Sequence, residues 1–130
     1  RGEDNRAAFC TLLGMELCLT EGLSPFSANV FALYSIIELT LGKRSRASRF
    51  GDLALALSSR LSRKEPGMLA VTVVTTLITH WSESLRDLSA PIATAVRTSL
   101  ANGDVLFTAY SAVNHACLRI FIGDNIVDVE

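Results

Sequence analysis

The sequence predicts an all-α fold: six to seven antiparallel helices stacked as helical hairpins in one domain, residues 1–130. Three observations predict it. Apolar runs of helix length repeatedly end on glycine, at Gly22, Gly42, Gly103 and Gly123. The runs are joined by about two to four residues, short enough to force antiparallel neighbours. A short string also recurs: Phe31-x-x-Tyr34-Ser35 before Gly42 returns as Phe107-x-x-Tyr110-Ser111 before Gly123. The copies are out of step, with Tyr34 eight residues before its glycine and Tyr110 thirteen before its own. The array is therefore a degenerate α-solenoid and not a consensus one.

The first helix is expected over about Asp4 to Thr20, burying Ala8, Phe9, Leu12, Leu13, Leu17 and Cys18. The second starts at Ser24-Pro25, a good cap followed by a proline suited to a first turn. Its face is Val30, Phe31, Tyr34, Ile37, Glu38 and Leu41. The third runs from about Ser45 to Ser62 with the stripe Phe50, Leu53, Ala54, Leu57 and Leu61. Gly51 inside it costs about 1 kcal/mol relative to Ala, which implies a close neighbouring helix.

Glu65-Pro66-Gly67 breaks the chain. From Met68 to about His80 the β-branched run Val71 to Thr76 favours a strand locally. No second strand-like segment exists to pair with it, so helix is expected from context. The fifth helix begins near Ser82 or Ser84 and carries Leu85, Leu88, Ile92, Ala95, Val96 and Leu100. Pro91 either kinks it or opens its main part. Asn102-Gly103 ends it and Asp104 opens the sixth, with the stripe Leu106, Ala109, Tyr110, Val113, Cys117, Ile120 and Phe121. Asp124 to Glu130 reads as the start of a seventh.

Half the chain is hydrophobic (49%) and 19% is charged, enough to bury a sizeable core. A net charge of −1 supplies no global field toward nucleic acid or membrane. Cys10, Cys18 and Cys117 are odd in number and contain no C-x-x-C, so neither a disulfide framework nor a zinc site is indicated. Reduced, mostly buried thiols of a cytoplasmic protein are expected. Arg1 in place of Met suggests a piece of a longer chain or a processed form, and no signal peptide opens it. Met68 to Ile78, interrupted by Thr72, Thr75 and Thr76, falls short of the roughly 20 apolar residues of a bilayer span. The chain reads as soluble.

Catalytic, cofactor and metal signals are few. His80-Trp81 could supply an acid, base or ligand, but no H-x-x-x-H or H-E-x-x-H surrounds it and the only other histidine is His115. No G-x-S-x-G and no phosphate-binding glycine loop occurs. One charge asymmetry is present. Seven of the twelve basic residues lie between Lys43 and Lys64, opposed only by Asp52. Arg44, Arg46, Arg49, Arg60 and Arg63 are the candidate partner-binding residues, for an acidic partner or a phosphate backbone. No aromatics interleave with them, which disfavours nucleic acid.

Several strings taken in order resemble a known family. They are Phe50-Gly51-Asp52-Leu53-Ala54-Leu55-Ala56-Leu57, then His80-Trp81-x-x-x-Leu85, then Ala101-x-Gly103-Asp104-x-x-Phe107-x-Ala109-Tyr110, and a closing Gly123. Over about residues 25 to 130 the chain resembles the TPR-like helical region of large multidomain signalling proteins. Those proteins combine a Ser/Thr-kinase-like domain and a STAND-type AAA ATPase with GAF and histidine-kinase modules. The resemblance implies a non-catalytic scaffold or sensor segment contacting other domains of its parent or a protein partner. Trp81, Gly103, Asp104, Tyr110 and Gly123 are its structural signature.

Three readings follow: that scaffold, a stand-alone nucleic-acid-binding module using residues 43–64, and a small helical enzyme using His80 or His115. Under the first, Phe31, Tyr34, Phe107 and Tyr110 pack between helices and Trp81 is a buried anchor. The solenoid ends are then expected to expose apolar faces that favour homodimers.

Overall fold

The computed structural model describes residues 2–61 and 67–124, with side chains for 6–61 and 69–124. It is all-helical. The helices are α1 (Gly2–Thr20), α2 (Ser27–Thr40), α3 (Arg44–Leu61), α4 (Gly67–Val73), α5 (Leu85–Ala101) and α6 (Val105–Phe121). No strand occurs among the described residues. The seventh helix expected after Asp124 lies outside them, as does Arg63.

Glycine stops three of these helices in the same way. Gly42, Gly103 and Gly123 take positive φ, a region closed to most side chains. Each closes its helix with two bonds. The Gly42 amide donates to Leu39 O and the next amide, Lys43, to Glu38 O, both at 2.9 Å. Gly103–Asp104 and Gly123–Asp124 repeat the pattern on Leu100/Ser99 and Ile120/Arg119. Asp104 then caps α6 by accepting from the Phe107 amide at 3.1 Å. At the start of α2 the chain departs from the reading above. Ser24-Pro25 forms a preceding turn, and the Ser24 amide donates back to Ser27 Oγ at 2.8 Å. Pro91 stays inside a continuous α5 that begins after its cap Ser84.

The β-branched run is helical, but not regularly so. After Val73 the helix widens into a π turn, Val74–Ile78, then tightens into a 3₁₀ turn, Thr79–Trp81. Crowded β-branched side chains strain a regular α turn. Here threonine hydroxyls also bond the ladder carbonyls: Thr76 Oγ1 to Thr72 O at 2.7 Å and Thr79 Oγ1 to Val74 O at 3.2 Å.

The stack is not three equal hairpins. α2–α3 and α5–α6 are the two close pairs, α4 with its π turn sits between them, and α1 leans on α2. The α2–α3–α4 seam is built from small residues. Ala47, Gly51, Ala54 and Ser58 recur at spacings of four, three and four along α3 and are buried, as are the small residues Ala28, Ala32 and Ser35 of α2. A Cβ on Gly51 would lie 3.1 Å from Val74 Cγ1, so this glycine does sit at a close helix approach. Phe31, Leu57, Val73 and Ile78 fill the rest of the main core. A smaller second cluster, Leu88, Ile92 and Leu118, holds α5 to α6.

Both end helices turn most of the expected face outward, although Ala8 and Cys18 of α1 are part-covered, Cys18 against the main core. In α1, Thr11, Gly14 and Met15 face α2, while Phe9, Leu12, Leu13 and Leu17 are exposed. Apolar residues run almost all round α1, so its pattern alone selects no face. Gly14 selects it, since its Cβ position is 3.1 Å from Val30 and leaves room only for glycine to approach easily. In α6, Ser111 and Leu118 are buried, whereas Leu106 (74% exposed), Val113, Ile120 and Phe121 (78%) face outward. Leu53 on α3 and Leu41 after α2 are exposed as well.

Candidate functional site

Two places concentrate polar groups on this frame. The first is the start of α3. Glu38, near the end of α2, is only 2% exposed. Its Oε1 accepts from the Tyr34 hydroxyl at 2.7 Å and pairs with Arg46 Nη2 at 2.9 Å. Lys43 Nζ lies 3.9 Å from Oε2. The hydrogen bond to Glu38, reinforced by burial, raises the Tyr34 pKa above its usual value. The Tyr34 ring stands edge-on to Phe50 at 4.7 Å, and the Phe31 ring lies nearly parallel to that of Phe50 at 6.2 Å.

This arrangement divides the basic run. Arg44 lies over the Trp81 ring, 4.7 Å from its centroid, and Arg46 is tied to Glu38. Arg49 and Arg60 are exposed, and Arg46, Arg49 and Arg60 share one face of α3 over about 21 Å. Arg46 and Arg49 also flank a shallow recess of about 330 Å³ floored by Phe50 and Leu53. Two of the candidate cations are thus engaged within the fold, which leaves the patch sparser than the sequence suggests.

Trp81 is no buried anchor. It is 57% exposed, flanked by Arg44 and by the His80 ring at 4.7 Å. The 3₁₀ turn ends the helix before it can carry this side chain inward. Of the remaining signature residues, Gly103, Asp104 and Gly123 form the stops and cap described above. Tyr110 is 43% exposed and Phe107 is half-buried, so that copy of the repeat does not reproduce the burial of Phe31. The thiols also differ from expectation: Cys10 and Cys117 are exposed and only Cys18 is partly covered, donating to Ser27 Oγ at 3.2 Å.

The second place is a cleft of about 300 Å³ between the π turn, α5 and α6. The π turn contributes Thr75 and Thr76, and His80 follows from the 3₁₀ turn. Leu88 and Ile92 of α5 face Asn114, Leu118 and Phe121 of α6 across it. His80 Nδ1 is buried and hydrogen-bonds to none of the described residues. None of the described residues that line it is charged. The sequence showed His80-Trp81 as a pair but could not show that His80 lines a cleft together with α6, because that depends on how α4 widens.

His115 does not line this cleft. Its Nε2 lies 3.2 Å from Ser89 Oγ. Burial, followed by the nearby Arg119 and Arg97 charges, lowers its pKa, with Asp124 opposing. Asp124, the nearest acid of that group, is bound to Arg119 Nε at 2.8 Å. Among the described residues no carboxylate hydrogen-bonds to the His115 ring, the arrangement by which a nucleophilic Ser–His pair is oriented. Among the described residues no three His, Cys, Asp or Glu side chains converge to hold a metal ion.

No family model, curated protein or solved structure gives a significant match to this chain. Among the described residues no helix is long and apolar enough to cross a membrane.

Proposed function

We propose that this chain is a non-catalytic helical-repeat scaffold that works by docking helices of other domains or proteins against its two ends. The outward apolar face of α6 carries this reading. Leu106, Val113, Ile120 and Phe121 point away from the core, and α1 presents Phe9, Leu12, Leu13 and Leu17 on its own outer side. A folded monomer rarely exposes apolar patches above a few hundred Å². In a helical stack such faces are what the next repeat or a partner helix buries. The resemblance of the ordered strings supplies the wider context: a regulatory segment of a cytoplasmic signalling ATPase or kinase.

Analytical ultracentrifugation tests the docking role. The chain is expected to self-associate in the micromolar range through these faces, in the absence of its proper partner. Leu106→Ser with Phe121→Ser is expected to abolish association while leaving the thermal midpoint within a few degrees, because both side chains are already in solvent. A wild-type chain that stays monomeric at millimolar concentration would overturn the reading. The nucleic-acid alternative has less support, since Arg44 and Arg46 are already engaged. Oligonucleotide binding that falls steeply with salt and depends on Arg49 and Arg60 would favour it instead.

A further inference from the structure

We propose that the outer face of α3 docks an acidic amphipathic helix of a partner protein. The partner sets one large apolar side chain into the recess floored by Phe50 and Leu53 and places carboxylates on Arg46, Arg49 and Arg60. This face is separate from the apolar faces of α1 and α6, and the proposal does not rest on docking there.

The face is built into the helix. Arg46, Arg49, Leu53, Ala56 and Arg60 follow one another at spacings of three, four, three and four, the repeat that keeps residues on one stripe. All five are exposed. Ala47, Gly51, Ala54 and Ser58, on the other side of α3, are buried. That tight seam fixes the rotation of α3 and holds the stripe toward solvent.

The charge of the stripe selects an acidic partner. Residues 43–64 hold seven basic residues against one acid, while the rest of the chain holds five against twelve. Arg49 and Arg60 form no ion pair or side-chain hydrogen bond with a described residue. Arg46 spends one nitrogen on Glu38, yet its side chain stays 53% exposed, so other donors of its fork remain for a second carboxylate. Asp52, the one acid on α3, lies about 80° round the helix from the middle of the stripe.

The spacing selects a helix over a phosphate backbone. Arg49 and Arg60 are eleven residues apart, about 17 Å along α3, and the stripe between them is the apolar pair Leu53 and Ala56. A protein held by phosphates uses roughly 6–10 contacts, and three cations, one already shared with Glu38, supply fewer. An amphipathic helix carries the matching pattern, with anchors recurring every three to four residues. The recess of about 330 Å³, walled by Arg46 and Arg49 over Phe50 and Leu53, seats its apolar anchor between two cations.

The probe is an alanine-based helical peptide of about 20 residues. One face carries a leucine, a glutamate one turn to either side of it, and a third glutamate about three turns further on. A control peptide has the same composition with the leucine on the opposite face, and a second control is an oligothymidylate of similar length. The first peptide is expected to shift the amide resonances of residues 46–60 saturably, and to bind about tenfold more tightly than the peptide control. Arg49→Glu with Arg60→Glu is expected to weaken it about tenfold with the thermal midpoint unchanged, since both side chains are exposed. Equal binding of the two peptides would reduce the effect to charge alone and overturn the proposal. So would the absence of saturable shifts at millimolar peptide, or shifts confined to α1 and α6. Tighter binding of the oligothymidylate, falling steeply with salt, would overturn it in favour of a phosphate backbone. Should the double variant not fold, the comparison of the two peptides on the wild type still decides the matter.

Discussion

The Thr72 and Ser111 hydroxyls lie 2.8 Å apart in the interior, joining α4 to α6 across 39 residues of sequence. Both side chains are fully buried. The contact links the central helix to the carboxy-terminal pair, where the second apolar cluster is small. Thr72→Val removes one hydroxyl and strands the other, with an expected loss of about 1–3 kcal/mol. Adding Ser111→Ala is expected to recover part of that loss, because no buried polar group is then left alone. Urea denaturation of the two single variants and the double variant measures the coupling.

Gly51 and Val74 form a second tight relationship. Gly51→Ala gains about 1 kcal/mol of helix propensity but places a Cβ 3.1 Å from Val74 Cγ1 and 3.4 Å from Ile78 Cγ2. Val74 is wholly buried in the π turn and has little room to yield, so overpacking of about 1–3 kcal/mol is expected to win. Combining Gly51→Ala with Val74→Ala is expected to cost less than the sum of the two. Additive losses in thermal denaturation would show that α3 and the π turn separate easily.

Glu38 is a buried carboxylate whose cationic partners, Lys43 and Arg46, are about half exposed. Breaking a fully buried pair costs about 3–5 kcal/mol. Glu38→Gln leaves both cations able to turn to solvent, so a smaller loss of about 1–2 kcal/mol is expected. Tyr34→Phe should cost less again, and its readout is the urea midpoint.

Trp81→Ala is expected to lower stability by about 1 kcal/mol or less, since the ring is mostly in solvent and its main contact is a surface cation–π pair with Arg44. The same exposure predicts a red-shifted emission maximum in the native state. A loss of several kcal/mol on truncation, or blue-shifted emission, would place the ring inside.

His115 gives the fold a pH dependence with a definite sign. Its folded-state pKa lies below the ordinary 6.5. The unfolded chain therefore takes up a proton first as pH falls. The stability due to this group is complete above about pH 6.5 and is lost as pH falls through the lower folded-state value. His115→Gln, which keeps a hydrogen bond to Ser89 within reach, is expected to flatten that part of the stability curve. An unchanged curve would assign the dependence to other groups.

Helix number, order and most ends were legible in the chain because they are set locally. A glycine after an apolar run can take positive φ at low cost, and Asp104 or Ser84 can satisfy a free amide wherever the helix docks. The need for a close neighbour at Gly51 was legible for a similar reason, since helix interiors seldom carry glycine without one. The spacing Ala47, Gly51, Ala54, Ser58 also lay in plain view. The larger Phe50 and Leu53 dominate the hydrophobic pattern of α3, although small residues are what let helix axes approach. The cleft left less trace, because His80, Ile92 and Leu118 come together only after α4 widens and α5 and α6 fold back.

Which face of each helix turns inward was settled by contact between helices. α1 and α6 carry apolar residues on several sides, so no single face wins on hydrophobicity. The choice falls to shape, to Gly14 against Val30 and to Thr72 against Ser111. Local sequence thus specified a set of capped helices, while close packing, which acts only between surfaces already brought together, selected their buried faces, left Trp81 outside and opened the cleft beside His80.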